Sequence, residues 1–223
     1  MSNLYIVATP IGNLKDITLR ALEVLKEVDV VLCEDTRTTK KLLSAYDISA
    51  KCIAYHKFSS DTEIKKILDL FDENENIALV SDAGTPAISD PGSFLVKLIR
   101  EQKTGVNIVS IPGASALTAA LSISGLPLSE FTFVGFLPHK KGRQKKLDQA
   151  LSFAHTVVFY ESTHRIIKLL EEIHQRQPER NIIICKEITK VHERVLIGTA
   201  LNLVDEFSKN PSLQKGEFVL ICE

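Results

Sequence analysis

The chain has 223 residues, with 27 Lys+Arg against 28 Asp+Glu for a net charge of −1, 44% apolar residues and no Trp. This composition belongs to a folded globular protein of one or two domains and excludes disordered, fibrous and wholly basic nucleic-acid-coat classes. No apolar run approaches the ~18 residues of a membrane-spanning helix, and the opening MSNLYIVATPIGNL has neither a charged leader nor a signal-peptide core. Cys33, Cys52, Cys185 and Cys222 are scattered without a C-x-x-C, which reads as free thiols in a reducing, cytoplasmic setting.

Taken in chain order, short apolar runs read as buried strands at Leu4–Thr9, Val28–Glu34, Cys52–His56, Ile77–Ser81 and Asn107–Pro112. Later runs follow at Phe131–Phe136, Thr156–Glu161, Asn181–Glu187, Arg194–Thr199 and Glu217–Cys222. Between them, Ile17, Ala21, Leu22, Leu25 and Val28 recur at helical steps behind a candidate Asp16 cap. Ile64, Ile67, Leu68 and Phe71 do so behind Asp61, and Ile166, Ile167, Leu170 and Ile173 repeat the pattern. Alternating strands and helices predict an α/β fold with a largely parallel sheet in the first half. After Ser124-Gly125-Leu126-Pro127 the strands crowd together, which predicts antiparallel pairing. Two α/β domains are therefore expected, residues 1–115 and 116–223, joined near 113–127.

Several signatures are missing: G-x-G-x-x-G after a strand, a Walker phosphate loop, and H-E-x-x-H or any clustered Cys/His set, so no metal is expected. Gly113-Ala114-Ser115-Ala116-Leu117 lacks the second glycine of a nucleophile elbow. What stands out instead is Gly and Pro gathered after predicted strands. The loops are Ala8-Thr9-Pro10-Ile11-Gly12-Asn13, the twelve residues from Ser81 to Gly92, and Pro112-Gly113-Ala114-Ser115-Ala116. Any one of them alone is compatible with a plain tight turn. Three at one sheet edge point to ligand binding, because open α/β sheets bind ligands outside the carboxyl ends of their strands.

These motifs, with Glu34-Asp35-Thr36-Arg37, Phe159 to Arg165, Cys185 to Lys190 and Gly216 to Ile221, resemble the tetrapyrrole-methylase superfamily over essentially the whole chain. Within it they are similar to the subfamily that 2′-O-methylates a cytidine of 16S ribosomal RNA. The resemblance implies two α/β domains with S-adenosylmethionine in the cleft between them, a homodimer, and a target displayed on the 30S subunit. It places the cofactor against Pro10, Asp82, Gly84, Thr85, Pro86, Ile88, Ser89, Ser115, Ala116, Tyr160, Lys186 and Gly216. Many relatives carry an acidic residue where Thr85 stands. Members generally continue past the strand at Glu217–Cys222 into a further basic helical segment, whereas this sequence stops at Glu223, as a naturally short or a trimmed chain would.

A 2′-hydroxyl attacks a methyl sulfonium only if its proton is removed or strongly hydrogen-bonded. Candidates are acceptors or a Lys of lowered pKa at strand ends: Glu34, Asp35, Glu161, Lys186, Glu187 and, one turn on, Lys190; Asp35 and Lys186 form the preferred catalytic pair, with Glu161 third. RNA phosphates call for cations. Arg37, Lys40 and Lys41 form one cluster, and Lys140, Lys141, Arg143, Lys145 and Lys146 another. His56, with Tyr55 in the run Ala54 to Phe58, reads equally as a contact to a flipped nucleotide or as core. A tetrapyrrole-carbon methylase and a non-catalytic ribosome-assembly factor are the competing readings. The basic run disfavours the first, and the intact loop disfavours the second.

Overall fold

A computed structural model describes residues 2–223 except 57, 58, 74, 75 and 91. The chain divides into two compact units, Met1–Ser115 and Ala116–Glu223.

In the first unit, strands β1 (Asn3–Val7), β2 (Val30–Cys33), β3 (Lys51–Ala54), β4 (Ile77–Leu79) and β5 (Asn107–Ile111) form one sheet in the order β3-β2-β4-β1-β5. Every pairing in it is parallel. Helices α1 (Leu19–Glu27), α2 (Thr36–Ala45), α3 (Asp61–Leu70) and α4 (Gly92–Gln102) supply the crossovers. Strand alternation splits the core between the two faces. Leu4, Val30, Leu32, Ile77 and Leu79 pack with Ile67 and Leu68 of α3 and with Leu95 and Ile99 of α4. Val7, Val31, Cys33, Ala78 and Ile111 pack with Ala21 and Leu25 of α1 and Leu43 of α2. β2 is buried along its whole length because both of its faces are covered.

The expected caps shift by a residue or two. Asp16 closes a short 3-10 turn over Leu14–Asp16, and Thr18 is the N-cap of α1, its hydroxyl accepting from Ala21 N. Asp61 begins α3 rather than capping it. Ser60 does that, accepting from Glu63 N at 3.3 Å while Glu63 Oε2 accepts from Ser60 N at 2.7 Å. This reciprocal box satisfies two otherwise orphaned donors. Ser60→Ala is expected to lower the unfolding free energy by about 1 kcal/mol. Denaturant titration with an unchanged midpoint would refute that contribution.

The second unit carries β6 (Phe131–Phe136), β7 (Thr156–Ser162), β8 (Asn181–Lys186), β9 (Arg194–Thr199) and β10 (Glu217–Cys222), ordered β6-β7-β10-β8-β9. β6 and β7 are parallel; the other pairings are antiparallel. Helices α6 (Arg143–Leu151), α7 (Ile166–His174) and α8 (Ala200–Lys209) cover one face, packing on Val157, Phe159, Ile182, Ile184, Phe218 and Leu220. The short α5 (Ala116–Ser122) lies on the other face, with Cys185 Sγ 3.9 Å from Ala120 O. The mixed sheet follows from the short β8–β9 connection, which joins antiparallel neighbours and leaves no room for a crossover helix. Cys33, Cys185 and Cys222 are buried free thiols, and Cys52 is half-buried. Burial pushes the Cys222 thiol up to about 12 and that of Cys33 to about 11, which makes both inert at neutral pH. Among the described residues no helix is long and apolar enough to cross a membrane.

Candidate active site

The three Gly/Pro loops of the first unit meet at the carboxyl edge of its sheet and are stitched together there. Thr9 N donates to Gly84 O at 2.9 Å and Gly84 N to Thr9 O at 3.0 Å, an antiparallel bridge between the loops after β1 and β4. Thr9 Oγ1 donates to Ser81 O at 3.0 Å, and Ser81 Oγ to Gly84 O at 3.1 Å. The third loop joins through Thr85 Oγ1, which donates to Ala114 O at 3.1 Å. Thr85 therefore acts as a clasp between loops, a task that an acidic residue there could not perform by donating. Gly84 is required by its backbone, with φ +82, and by space. A Cβ would stand 3.2 Å from Ile11 Cγ2 and 3.6 Å from Ala114 O. Ala87 also adopts a left-handed φ of 67, a strained conformation for a residue with a side chain and one that gathers at functional loops. Asp82, Ile88 and Ser89 are exposed at this edge, Pro10 is half-buried, and Pro86 is buried. Pro91, in the same loop, lies outside the described residues.

The ends of β2 and β4 form the switch point of this sheet. The chain leaves β2 for β3 on one side and leaves β4, across β1, for β5 on the other, so their loops diverge and open a crevice. Asp35 N donates to Asp82 Oδ1 across it at 3.1 Å. Asp35 is the N-cap of α2. Its carboxylate accepts from Arg37 N at 2.8 Å and forms a two-pronged pair with the Arg37 guanidinium, at 3.1 Å from Nε and 2.9 Å from Nη2. These bonds hold its carboxyl down to about 2. A carboxylate so engaged is a poorer proton acceptor than a free one, which weighs against the expectation that Asp35 serves as the base. An Asp followed by a helical run signals exactly such a cap in the sequence. Glu34 differs from its neighbour. It is partly buried, and burial followed by the charges of Asp90 and Asp82 pushes its carboxyl up, with His56 opposing. Burial and Asp82 likewise push Asp90 up against a hydrogen bond from Ser81.

Of the pair after β3, Tyr55 is 2% exposed and belongs to the core, while His56 is exposed at the same sheet edge. The structure thus separates two residues that the sequence left open together. Lys57 and Phe58 lie outside the described residues. Arg37, Lys40 and Lys41 are exposed at the start of α2.

In the second unit the strand register decides the geometry. Glu161, Phe218 and Lys186 stand side by side across β7, β10 and β8, and so share the helix-covered face. Tyr160 points to the opposite face. Its hydroxyl accepts from Leu117 N at 3.0 Å, and its ring meets Phe133 and Phe136 edge-on at 4.9 and 5.6 Å. Glu161, 1% exposed, stands 3.6 Å from Arg143 Nη1 and 3.3 Å from Arg165 Nε. Arg143, 3% exposed, also grips Glu172 at 2.8 Å, with Nε 2.9 Å from Glu172 Oε2. Arg143, expected at the RNA, is instead turned inward, and the engagement of Glu161 in this buried ion network weighs against it as a free proton acceptor. Arg143 shares the inward helix face of Leu147, Ala150 and Leu151, a helical spacing visible in the sequence once α6 is drawn. Lys140, Lys141, Lys145 and Lys146 are exposed. The backbone beneath them is pinned, since Arg165 Nη2 donates to Leu137 O at 2.6 Å.

Lys186 is 4% exposed at the end of β8. Beside it Glu187 pairs with Lys190 at 2.8 Å. Gly216, with φ +118, accepts from Thr163 Oγ1 through its carbonyl and donates to it through N–H, both at 2.8 Å. A Cβ on Gly216 would fall 2.6 Å from Glu187 Cγ. This turn therefore tolerates only glycine. Among the described residues no group of three or more His, Cys, Asp or Glu is arranged to hold a metal ion.

A parallel sheet with a knitted, glycine-rich carboxyl edge, followed by a mixed α/β unit, defines a class that comparison with known proteins identifies. The family model of the Tetrapyrrole (Corrin/Porphyrin) Methylases matches residues 3–204. The chain resembles solved structures of cobalt precorrin-4 methyltransferase, with a TM-score of 0.69 and 18% identity over 98% of this chain and 94% of that one. It is also similar to uroporphyrin-III C-methyl transferase from Thermus thermophilus complexed with S-adenyl homocysteine, at TM-score 0.66 and 19% identity over 99% and 97% of the two chains. At such identities these structures share the fold. Nearer in sequence are proteins named ribosomal RNA small subunit methyltransferase I. That of Halalkalibacterium halodurans is 46% identical over 99% of this chain and 75% of its own length. That of Thermotoga maritima is 41% identical over 99% and 98%. The chain belongs to the tetrapyrrole methylase family, and within it to the ribosomal RNA small subunit methyltransferase I group. It is a methyltransferase of a family whose methyl donor is S-adenosylmethionine.

Proposed function

We propose that this protein 2′-O-methylates a cytidine ribose of 16S ribosomal RNA, displayed on the 30S subunit in the cytoplasm, and that it works as a homodimer. The observation that carries the reading is the stitched edge of the first sheet in a chain whose relatives are named for ribosomal RNA. The edge fits S-adenosylmethionine by its chemistry. Gly84 and Ala87 give the loop its tight left-handed backbone, Ile88 offers 57% exposed apolar surface, and the exposed Asp82 supplies a carboxylate. Pro10, Thr85, Pro86, Ser89 and Ser115 complete the set assigned to the cofactor, with Ala116, Tyr160, Lys186 and Gly216 from the second unit. When bound, the cofactor supplies an electrophilic methyl carbon. The protein holds that carbon in line with the ribose oxygen, and such alignment removes much of the entropic barrier. The exposed lysines of the α6 region and the cations of α2 face the RNA phosphates, which carry most of the affinity and none of the sequence information.

Transfer of tritiated methyl groups to 30S subunits lacking the modification, followed by nucleoside analysis, tests the activity. Label is expected in 2′-O-methylcytidine. Its absence from ribose, with cofactor binding verified, would overturn the reading. Replacing Lys140, Lys141, Lys145 and Lys146 by Ala is expected to weaken RNA binding and flatten its dependence on log salt by about one per lysine that meets a phosphate. An unchanged slope would remove the run from the interface.

A further inference from the structure

We infer that Glu34, and not its neighbour Asp35, is the group that takes the proton of the attacking 2′-hydroxyl. Resting on the activity just proposed, this inference names the acceptor within it. Glu34 follows the last residue of β2, at the mouth of the crevice between β2 and β4 and beside the loop assigned to the cofactor. Among the described residues its carboxylate has neither a hydrogen-bond nor an ion-pair partner, whereas the Asp35 oxygens are taken by the start of α2 and by Arg37. A motif with two adjacent carboxylates is thus divided between two tasks: one builds the helix, and the other is left facing the ligand edge.

The surroundings suit a proton acceptor. The charged and titratable groups around Glu34 are Asp82 and Asp90 from the loop after β4, His56 after β3, and the Asp35–Arg37 pair beside it. Asp90 and Asp82 disfavour a further negative charge, so the neutral acid gains in stability once the proton arrives. A carboxylate raised toward the working pH is a better base than one held near 2. In the step itself, the hydroxyl oxygen forms its bond to the methyl carbon as the carbon–sulfur bond breaks, with that electron pair going to sulfur. The hydroxyl proton moves to the Glu34 carboxylate, leaving an ether, a thioether and a carboxylic acid, and the proton then passes to solvent.

The test compares wild type, Glu34→Gln and Asp90→Asn for methyl transfer to 30S subunits, with S-adenosylmethionine affinity measured separately by calorimetry. Glu34→Gln is expected to lower the transfer rate constant by 10²–10⁴ while cofactor affinity changes less than about threefold. Wild-type rate is expected to fall as pH drops through the Glu34 titration. Asp90→Asn, by removing a charge that opposes ionisation, is expected to move that acid limb to lower pH. A Glu34→Gln enzyme working at the wild-type rate would overturn the inference. So would a Glu34→Gln enzyme that has lost cofactor binding, since the residue would then be structural. An acid limb that stays in place in Asp90→Asn overturns it too, and that measurement needs only proteins that retain Glu34. No transfer by wild type itself would instead count against the proposed activity.

Discussion

Arg143→Met is expected to lower the stability of the protein by about 3–5 kcal/mol, a fall in Tm of roughly 6–20 °C. The guanidinium is 3% exposed and faces Glu161 at 3.6 Å and Glu172 at 2.8 Å. Removing it leaves the buried Glu172 without an ion-pair partner among the described residues and Glu161 with Arg165 alone, and the cost comes from uncompensated charge rather than from the lost attraction. Replacing Arg143, Glu161 and Glu172 together by apolar residues of similar size is therefore expected to recover most of the loss. The pH dependence carries the sign of the effect. Burial pushes the Glu172 carboxyl up, but the hydrogen bond and charge of Arg143, with Gln144 adding to them, outweigh it and hold the group below its ordinary value. A folded-state pKa lowered in this way contributes stability that is present above the unfolded value and lost as pH falls through the folded one. In the variant burial prevails and the sign reverses, so the penalty is present at neutral pH and relieved on acidification. The stability gap between the two proteins should narrow from pH 7 to pH 3. A constant gap, or one below 1 kcal/mol, would show that the network is not the reason for the burial of Arg143.

Gly84→Val is expected to leave the fold intact and to weaken S-adenosylmethionine binding tenfold or more, measured by calorimetry. The left-handed backbone at Gly84 costs a residue with a side chain about 1–2 kcal/mol. The added Cβ would also press on Ile11 at 3.2 Å and on the Ala114 carbonyl at 3.6 Å. The loops after β1 and β5 would have to part from the loop after β4, and the Thr85 clasp to Ala114 with them. Since 1.4 kcal/mol is a factor of ten in affinity, a modest misplacement of this edge is enough. Gly84→Ala should act in the same direction and less strongly. Unchanged affinity in both would take the loop out of the cofactor site.

Much of this site was legible before the structure. The strands announced themselves because runs such as Val30–Cys33 are buried on both sides and need apolar residues at every position. The three loops were legible because tight backbone approach demands glycine and proline at strand ends. What adjacency in sequence did not disclose was engagement. Asp35 and Glu34 look alike as letters, yet one is consumed by Arg37 and a helix cap. Tyr160 and Glu161 look like one motif, yet alternation along β7 sends them to opposite faces of the sheet. Arg143 sits among exposed lysines, yet its partner Glu172 lies on another helix, brought there only by packing.

The amino-acid sequence by itself determined the α/β class, the ten strands among the described residues, the Gly/Pro loops at the sheet edge and the family, because these rest on local periodicity, turn chemistry and short motifs. The tertiary structure alone decided which charged groups are paired within the fold and which are left exposed. Pairing of buried ions depends on distances between residues far apart in the chain, and no local pattern encodes those distances.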